Sequence, residues 1–210
     1  MKRFLALLFA LLILLSFAGC RRHRIPPEAA AAKPVIYLYP EEETAVSVQL
    51  DYAGKLTSTY PTYENGWTVT AQPNGTLTDQ NGREYYCLFW EGVSHTAYDF
   101  STGFVVAGEE TAAFLEDALA QLGLTEKEAN EFMIYWLPQM EHNAYNRIAF
   151  QTEAYTESAV LTVTPQPDSV LRVFMAWEPL DKFEEIEPQV LEPFSREGFT
   201  VVEWGGAKIE

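Results

Sequence analysis

The chain contains little cysteine and little histidine for its 210 residues. It has two cysteines, Cys20 and Cys87, three histidines and no Cys-x-x-Cys pair. These numbers oppose a disulfide framework and a zinc site built from these residues, so we predict no metal and no cofactor. Cys87 lies in the apolar segment "EYYCLFWEG", which favours a buried small hydrophobic residue over a nucleophile.

No apolar run is long enough to span a membrane as a helix. The longest run has twelve residues, from Phe4 to Leu15, whereas a spanning helix needs about 20. It follows Lys2 and Arg3 and precedes small residues, which is typical of a signal peptide over residues 1–19. The segment Phe17-Ala18-Gly19-Cys20 resembles the lipobox of bacterial lipoproteins and predicts lipidation of Cys20. An ordinary signal peptide or a signal anchor is the alternative interpretation.

Positive charge is also scarce, and its distribution is uneven. Residues 20–33 include Arg21, Arg22 and Arg24 and form a predicted tether. Residues 34–210 hold 8 basic and 29 acidic side chains, a net charge of −21. An acidic domain opposes binding to nucleic acid, which depends on cationic side chains. We predict a protein that is anchored by its N-terminal lipid to the extracytoplasmic face of a bacterial membrane.

Most of the remaining pattern predicts β-strands. Val46, Val48 and Leu50 alternate with polar residues, as in a half-buried strand. Further strand patterns are "KPVIYLYP", "GWTVTAQ", "YYCLFW", "GFVVAG", "NRIAFQ", "AVLTVTP", "VLRVFMAWE" and "FTVVEW". Asn81-Gly82 is the dipeptide favoured in type I′ hairpins. We expect an α+β fold, mostly antiparallel β, arranged as a sandwich or a curved sheet within one domain over residues 34–210.

One segment instead has helical periodicity. A stripe of apolar residues runs through "EETAAFLEDALAQLG", and Gly123 is suited to the position after its end. Thr125 to Glu128 form a capping-box sequence for a second helix, which we expect to end at Pro138. Because the connection is short, the pattern predicts an inserted αα-hairpin over residues 109–137.

Several phrases of this sequence occur together in one family. They are "KPVIYLYPEEE", "LFWEG", "EANEFMIYWLPQMEHNAYNRIAFQ", "PDSVLRVFMAW" and "REGFTVVEWGG". From Pro34 to Gly206 the chain resembles a family of uncharacterised bacterial proteins, often predicted to be lipoproteins. The resemblance implies a class of protein and a location, and it implies no activity or site residue.

Two polar clusters interrupt the apolar pattern. The segment "WLPQMEHNAYN" supplies Gln139, Glu141, His142, Asn143, Tyr145 and Asn146. The segment "WEGVSHTAYDF" supplies Glu91, Ser94, His95 and Asp99. If the two loops meet, Glu91 and Glu141 could act as acid and base of a glycosidase-like hydrolase. A Ser94-His142-Asp99 arrangement is conceivable, although the sequence has no G-x-S-x-G elbow.

A structural role for these residues is the simpler interpretation. Glu91 would cap a strand end and pair with Arg147 or Arg172, and Asn143 and Asn146 would hold a turn. The five tryptophans lie in strand or helix patterns and are expected in the core. We therefore favour a binding or structural module of the cell envelope, with a protein or carbohydrate partner, over an enzyme. Gln139, Asn143, Tyr145 and Asn146 are the candidate binding residues.

Overall fold

Two β-sheets and a layer of helices make up the computed structural model, which describes residues 28–209. The predicted signal peptide, Cys20 and most of the predicted tether lie outside the described residues. Within this described part, no helix is both long and apolar enough to cross a membrane. In chain order the strands are β1 (Ala29–Tyr39), β2 (Thr44–Tyr52), β3 (Gly54–Tyr60), β4 (Trp67–Ala71), β5 (Leu77–Thr78), β6 (Glu84–Tyr85), β7 (Leu88–Ser94), β8 (Thr102–Ala107), β9 (Tyr145–Gln151), β10 (Ala159–Thr164), β11 (Ser169–Leu180), β12 (Glu187–Pro188) and β13 (Thr200–Lys208).

The larger sheet combines strands that precede the helical hairpin in the sequence with strands that follow it. Its spatial order is β12-β8-β9-β11-β13-β1-β7-β3, and the smaller sheet has the order β10-β2-β4-β5-β6. Pairing is antiparallel except between β11 and β13 and between β12 and β8. The predicted α+β fold, mostly antiparallel β, is therefore confirmed.

The larger sheet has an apolar core on each face. Along β1, Ile36 and Leu38 point into a core shared with the smaller sheet, as do Val46 and Val48 of β2. Val35 and Tyr37 alternate with them and belong to the core under the helices. Strand β1 is buried on both faces because successive side chains of a strand point to opposite sides. The predicted sandwich is thus covered by a helical layer on one outer face.

The helical layer is the predicted αα-hairpin. A 3₁₀ turn over Gly108–Glu110 precedes α1 (Thr111–Gln121), and α2 covers Glu126–Met140. Gly123 has φ of +95° and follows Leu122, the C-cap of α1, as predicted. The capping box of α2 is also confirmed: the Glu128 N–H donates to Thr125 Oγ1, and the Thr125 N–H donates to Glu128 Oε2.

The expected end of α2 at Pro138 is wrong. The proline removes one intrahelical donor, but the Glu141 N–H still donates to the Leu137 carbonyl at 2.9 Å. The helix therefore continues through Pro138 to Met140. One short helix, α3 (Glu153–Ser158), was not predicted and joins β9 to β10. It begins two residues after β9 ends at Gln151, so the polar segment between the two strand patterns is helical.

The turn at Asn81-Gly82 is not of the predicted type, whereas the predicted burial of the tryptophans is confirmed. A type I′ turn requires positive φ at Asn81, but Lys33 is the only non-glycine residue with positive φ among residues 28–209. The turn is instead closed by the Gly82 N–H on the Asp79 carbonyl. All five tryptophans are buried, as predicted: Trp67, Trp90, Trp136, Trp177 and Trp204.

Candidate functional site

The helical hairpin is narrower than the sheet beneath it. Eight strands span roughly 33 Å, whereas two packed helices cover about 20 Å. The side of the sheet formed by β7 and β3 extends beyond α2, and the space beside Tyr135 of α2 is a cavity of about 490 Å³. We call this space the aromatic cavity.

The aromatic cavity takes its name from its lining. Val35, Cys87 and Phe89 come from the sheet side, and Tyr135 comes from α2. Around them stand three more tyrosines and three charged side chains: Tyr60, Tyr85, Tyr86, Lys33, Glu84 and Glu91. Tyr60 and Tyr86 are 55% and 51% exposed, so large aromatic surfaces remain open to solvent. Such a set of rings with a few polar groups is typical of a ligand site.

Lys33 reaches the aromatic cavity through an irregularity in β1. The register of β1 with both neighbouring strands shifts between Ala31 and Val35, and Lys33 has φ of +61°. A β-bulge of this kind redirects a side chain, and bulges are frequent beside functional sites. The Lys33 N–H donates to Glu91 Oε1 at 3.2 Å. Its Nζ lies 5.7 Å from the ring centre of Phe89 and 6.0 Å from that of Tyr135, within cation–π range.

The titratable groups of the aromatic cavity do not include an activated thiol. Burial raises the pKa of the Cys87 thiol to about 12, so it remains protonated at neutral pH. Burial and then the charge of Glu91 raise the pKa of Tyr135. The predicted burial of Cys87 is confirmed. The aromatic cavity therefore offers rings, one ammonium group and carboxylates to a ligand.

Of the residues proposed for catalysis, Glu91 alone lines the aromatic cavity. Glu141 lines a different cavity of about 350 Å³, together with Glu109, Asn143 and Tyr145. His142 is exposed and lies 3.8 Å from the Glu141 carboxylate. His95 lines a third cavity with Ser94 and Lys55. The structure thus places the two predicted carboxylates in separate cavities.

The proposed triad and the remaining candidates have structural partners. Ser94 Oγ lies 2.8 Å from Thr96 Oγ1, and Asp99 accepts from the N–H and hydroxyl of Ser101. Gln139 Nε2 donates to the Tyr135 carbonyl. Asn146 is buried; it accepts from Asn143 Nδ2 and donates to Met140 O and Thr111 Oγ1. The predicted turn held by Asn143 and Asn146 is therefore confirmed.

The expected pairing of Glu91 with Arg147 or Arg172 is wrong, because Arg147 pairs with Glu178 and Arg172 with Glu203. The cross-strand neighbours of both arginines carry the carboxylates that bind them. Within residues 28–209, no group of three or more His, Cys, Asp or Glu is arranged to hold a metal.

The sequence interpretation missed most of the aromatic cavity. It assigned Tyr85, Tyr86 and Cys87 to one apolar strand together with Leu88, whereas Tyr85 ends β6 of the smaller sheet and β7 of the larger sheet begins at Leu88. Tyr86 and Cys87 connect the two sheets. Two neighbouring tyrosines before an apolar strand were a possible signal, because tyrosine has an apolar ring and a polar end. Tyr60 and Tyr135, which come from distant parts of the chain, gave no such signal.

A curated relative shows which family this chain belongs to. The chain is 37% identical over 94 residues to a Butyrivibrio fibrisolvens protein described as "Uncharacterized protein in bglA 3'region". The match covers 43% of this chain and 97% of the relative. The chain belongs to the family of that protein. No family model matches the chain, and no solved structure matches it. The description of that relative names no activity.

Proposed function

We propose that the protein is a lipid-anchored binding protein of the bacterial cell envelope that takes its ligand in the aromatic cavity. The observation that carries this proposal is the pair of half-exposed rings, Tyr60 and Tyr86, beside Lys33 and Glu91. The volume of about 490 Å³ falls in the usual range for small-molecule sites, roughly 300–1,000 Å³. Anchoring through Cys20 would hold the cavity outside the cell.

The charges of the aromatic cavity restrict the ligand. Glu84 and Glu91 face one cation, Lys33, whose ammonium group already lies over Phe89 and Tyr135. The whole chain carries a net charge of −16. An anionic ligand would be repelled, whereas a neutral or cationic ligand with a flat apolar face fits the rings and the carboxylate acceptors.

Binding is better supported than hydrolysis. A glycosidase of the usual type needs two carboxyl groups on either side of one bond, about 5–10 Å apart. Glu91 and Glu141 line different cavities, so they do not flank a common ligand position. The aromatic cavity itself contains Glu91 and Glu84, but Glu84 is exposed at its rim. We therefore assign Glu91 to ligand recognition.

The anchoring part of the proposal is tested by detergent phase partition. The full-length protein is expected in the detergent phase, and Cys20→Ser is expected in the aqueous phase because it cannot be acylated. Mass spectrometry of the mature protein is expected to find an acylated Cys20 as the first residue. Equal partition of the two proteins would contradict lipid anchoring.

The cavity part is tested with the full-length protein in detergent micelles. We would titrate it by calorimetry with neutral cello- and chito-oligosaccharides and with a lysine-rich peptide. Tyr86→Ala is expected to weaken binding at least tenfold, since truncation of a well-packed aromatic contact costs above about 1.4 kcal/mol. Ile134→Ala is the matched control, because Ile134 is exposed on α2 outside the cavity lining. Binding by neither ligand class, or equal binding by Tyr86→Ala, would contradict the proposal.

A further inference from the structure

We infer that the ligand is an oligosaccharide chain that runs from the aromatic cavity across Tyr85 into a second cavity. This inference rests on the proposed binding function and adds the ligand class and a second subsite. The second cavity has a volume of about 620 Å³ and lies against the smaller sheet. We call it the polar cavity.

The polar cavity is built on the outer face of β2 and β4. Because Val46, Val48 and Leu50 of β2 point into the core, Ser47 and Gln49 point outward. Thr68 of β4 lies on the same outer face, between the buried Trp67 and Val69. The loops add further amides and hydroxyls, from Thr62, Asn65, Gln80 and Asn81. Amides and hydroxyls both donate and accept hydrogen bonds, which suits a ligand rich in hydroxyl groups.

Tyr85 belongs to both cavities and is held from each side. Its ring packs edge-to-face on Tyr60 of the aromatic cavity, with 5.4 Å between ring centres. Its hydroxyl donates to Asp79 Oδ2 at 3.1 Å in the polar cavity. The adjacent residues Tyr60 and Pro61 likewise line one cavity each. The two cavities are therefore neighbours, joined by a ring whose position is fixed by two contacts.

Backbone pairing in the polar cavity opposes a peptide ligand. An extended peptide is usually recognised by adding a strand to a free sheet edge. Strand β2 already pairs with β10 and β4, and β4 pairs with β2 and β5. The floor of the polar cavity therefore offers side chains, and the sheet edge beside it is the two-residue strand β6, which is too short to align an extended peptide. Recognition by side-chain amides and hydroxyls favours the hydroxyl groups of a sugar chain.

The charges of the polar cavity oppose an anionic ligand. Among its described lining residues there is no lysine or arginine, whereas Glu64 and Asp79 are present. Both cavities thus favour a neutral or amino sugar. A single sugar ring would occupy only one of them, because each is large enough for a small molecule by itself. An oligosaccharide long enough to cross Tyr85 would contact the tyrosine rings of the aromatic cavity with one end. Its other end would contact the side-chain amides of the polar cavity.

A length series tests this inference with the full-length protein in micelles. The probes are neutral chito- and cello-oligosaccharides from the disaccharide to the hexasaccharide. The hexasaccharide is expected to bind at least tenfold more tightly than the disaccharide. The double variant Gln49→Ala and Asn65→Ala is expected to lose this gain and to keep the affinity for the disaccharide. Tyr86→Ala is expected to weaken binding at every length, and Ile134→Ala at none.

The outcomes separate this inference from the proposed function. A hexasaccharide that binds no more tightly than the disaccharide would overturn the second subsite and leave the aromatic cavity as the binding site. A double variant that keeps the length gain would do the same. Binding of the lysine-rich peptide alone, lost in Tyr86→Ala, would overturn the sugar assignment and support the binding function. Circular dichroism and thermal melting of each variant would confirm that it is folded.

Discussion

Two fully buried carboxylates lie on opposite faces of the larger sheet, and they are held in different ways. Glu203 of β13 lies inside the sandwich, where it accepts from Arg172 Nε at 2.7 Å and from Trp90 Nε1 at 3.0 Å. Glu128 lies under the helical layer at the start of α2. It accepts from the Thr125 N–H and the Tyr39 hydroxyl, each at 2.8 Å, and from Arg196.

The difference lies in where the partners come from. The donors to Glu203 belong to strands β11 and β7, which are fixed by the sheet, and the Arg172 side chain is only 10% exposed. Glu128 is partly satisfied by its own helix cap, and the Arg196 side chain, from the loop before β13, is 25% exposed. In both sites, groups of the protein itself donate hydrogen bonds to the buried carboxylate. The aromatic cavity differs from both sites, because Tyr60, Tyr86 and Glu84 are exposed to solvent there.

The largest expected effect is at Glu203. Arg172→Met removes the cation and leaves a buried carboxylate without charge compensation, which costs about 3–5 kcal/mol. We expect the free energy of unfolding to fall by this amount in urea titrations. The double variant Arg172→Met and Glu203→Leu is the matched control, and it should recover part of the loss because no buried charge remains. Recovery would be incomplete, since Trp90 Nε1 then has no acceptor.

A loss below about 1 kcal/mol in Arg172→Met, the level of a surface ion pair, would contradict this comparison. It would mean that water reaches Glu203 or that Trp90 alone satisfies it.

A smaller effect is expected at Glu128. Arg196→Met should cost about 1.5–3 kcal/mol, the usual range for hydrogen bonds to a charged group, because Thr125 and Tyr39 continue to donate to the carboxylate. Urea unfolding measures the loss. Lys182→Met is the control, since Lys182 is exposed on the loop between β11 and β12 and loses the same charge. A loss at Arg196 as large as that at Arg172 would remove the distinction between the two sites.

Stability at low pH provides a third comparison. Burial alone would raise the pKa of Glu128, but hydrogen bonds from Arg196, Thr125 and Tyr39 lower it below the ordinary value of 4.5. A carboxyl group with a lowered pKa binds fewer protons in the folded state than in the unfolded state. Its contribution to stability is therefore complete above pH 4.5 and is lost as the pH falls through the lower, folded value.

We expect the free energy of unfolding to fall from about pH 5 to about pH 3, where carboxyl groups titrate. Glu128→Gln should be less stable at neutral pH and should show a shallower decline over this range. Urea titrations at several pH values measure both. An identical slope in the variant and the parent would show that other carboxyl groups account for the whole decline.

The sequence predicted those features of the molecule that depend on neighbours along the chain. The capping box from Thr125 to Glu128 could be predicted because both of its hydrogen bonds are local. The alternation in β2 identified its buried face for the same reason. The burial of Glu203 could not be predicted, because "FTVVEW" gives no sign that β13 pairs in parallel with β11 and places Arg172 beside it.

The aromatic cavity was harder to predict than the fold. Its lining joins Lys33, Tyr60, Tyr86 and Tyr135, which meet only because α2 covers part of a wide sheet. Glu91 was the one candidate from the sequence that lies there. Glu141 was predicted in the same way, on the assumption that the loop after α2 meets the loop after β7. The two loops line different cavities, so Glu141 does not lie beside Glu91 in a common cavity.

The smallest effect on stability is expected at the aromatic cavity itself. Glu91→Gln keeps an acceptor for the Lys33 N–H, and Tyr86 is half exposed, so neither Glu91→Gln nor Tyr86→Ala should change the free energy of unfolding by more than about 0.5 kcal/mol. Thermal and urea unfolding measure this directly. Tyr155→Ala is the contrasting control, because Tyr155 is buried and stacks on Phe174 with 4.0 Å between ring centres. A loss above about 1 kcal/mol, typical of a structural contact, for either cavity variant would mean that these side chains hold the fold together, and their exposure would then no longer argue for a ligand.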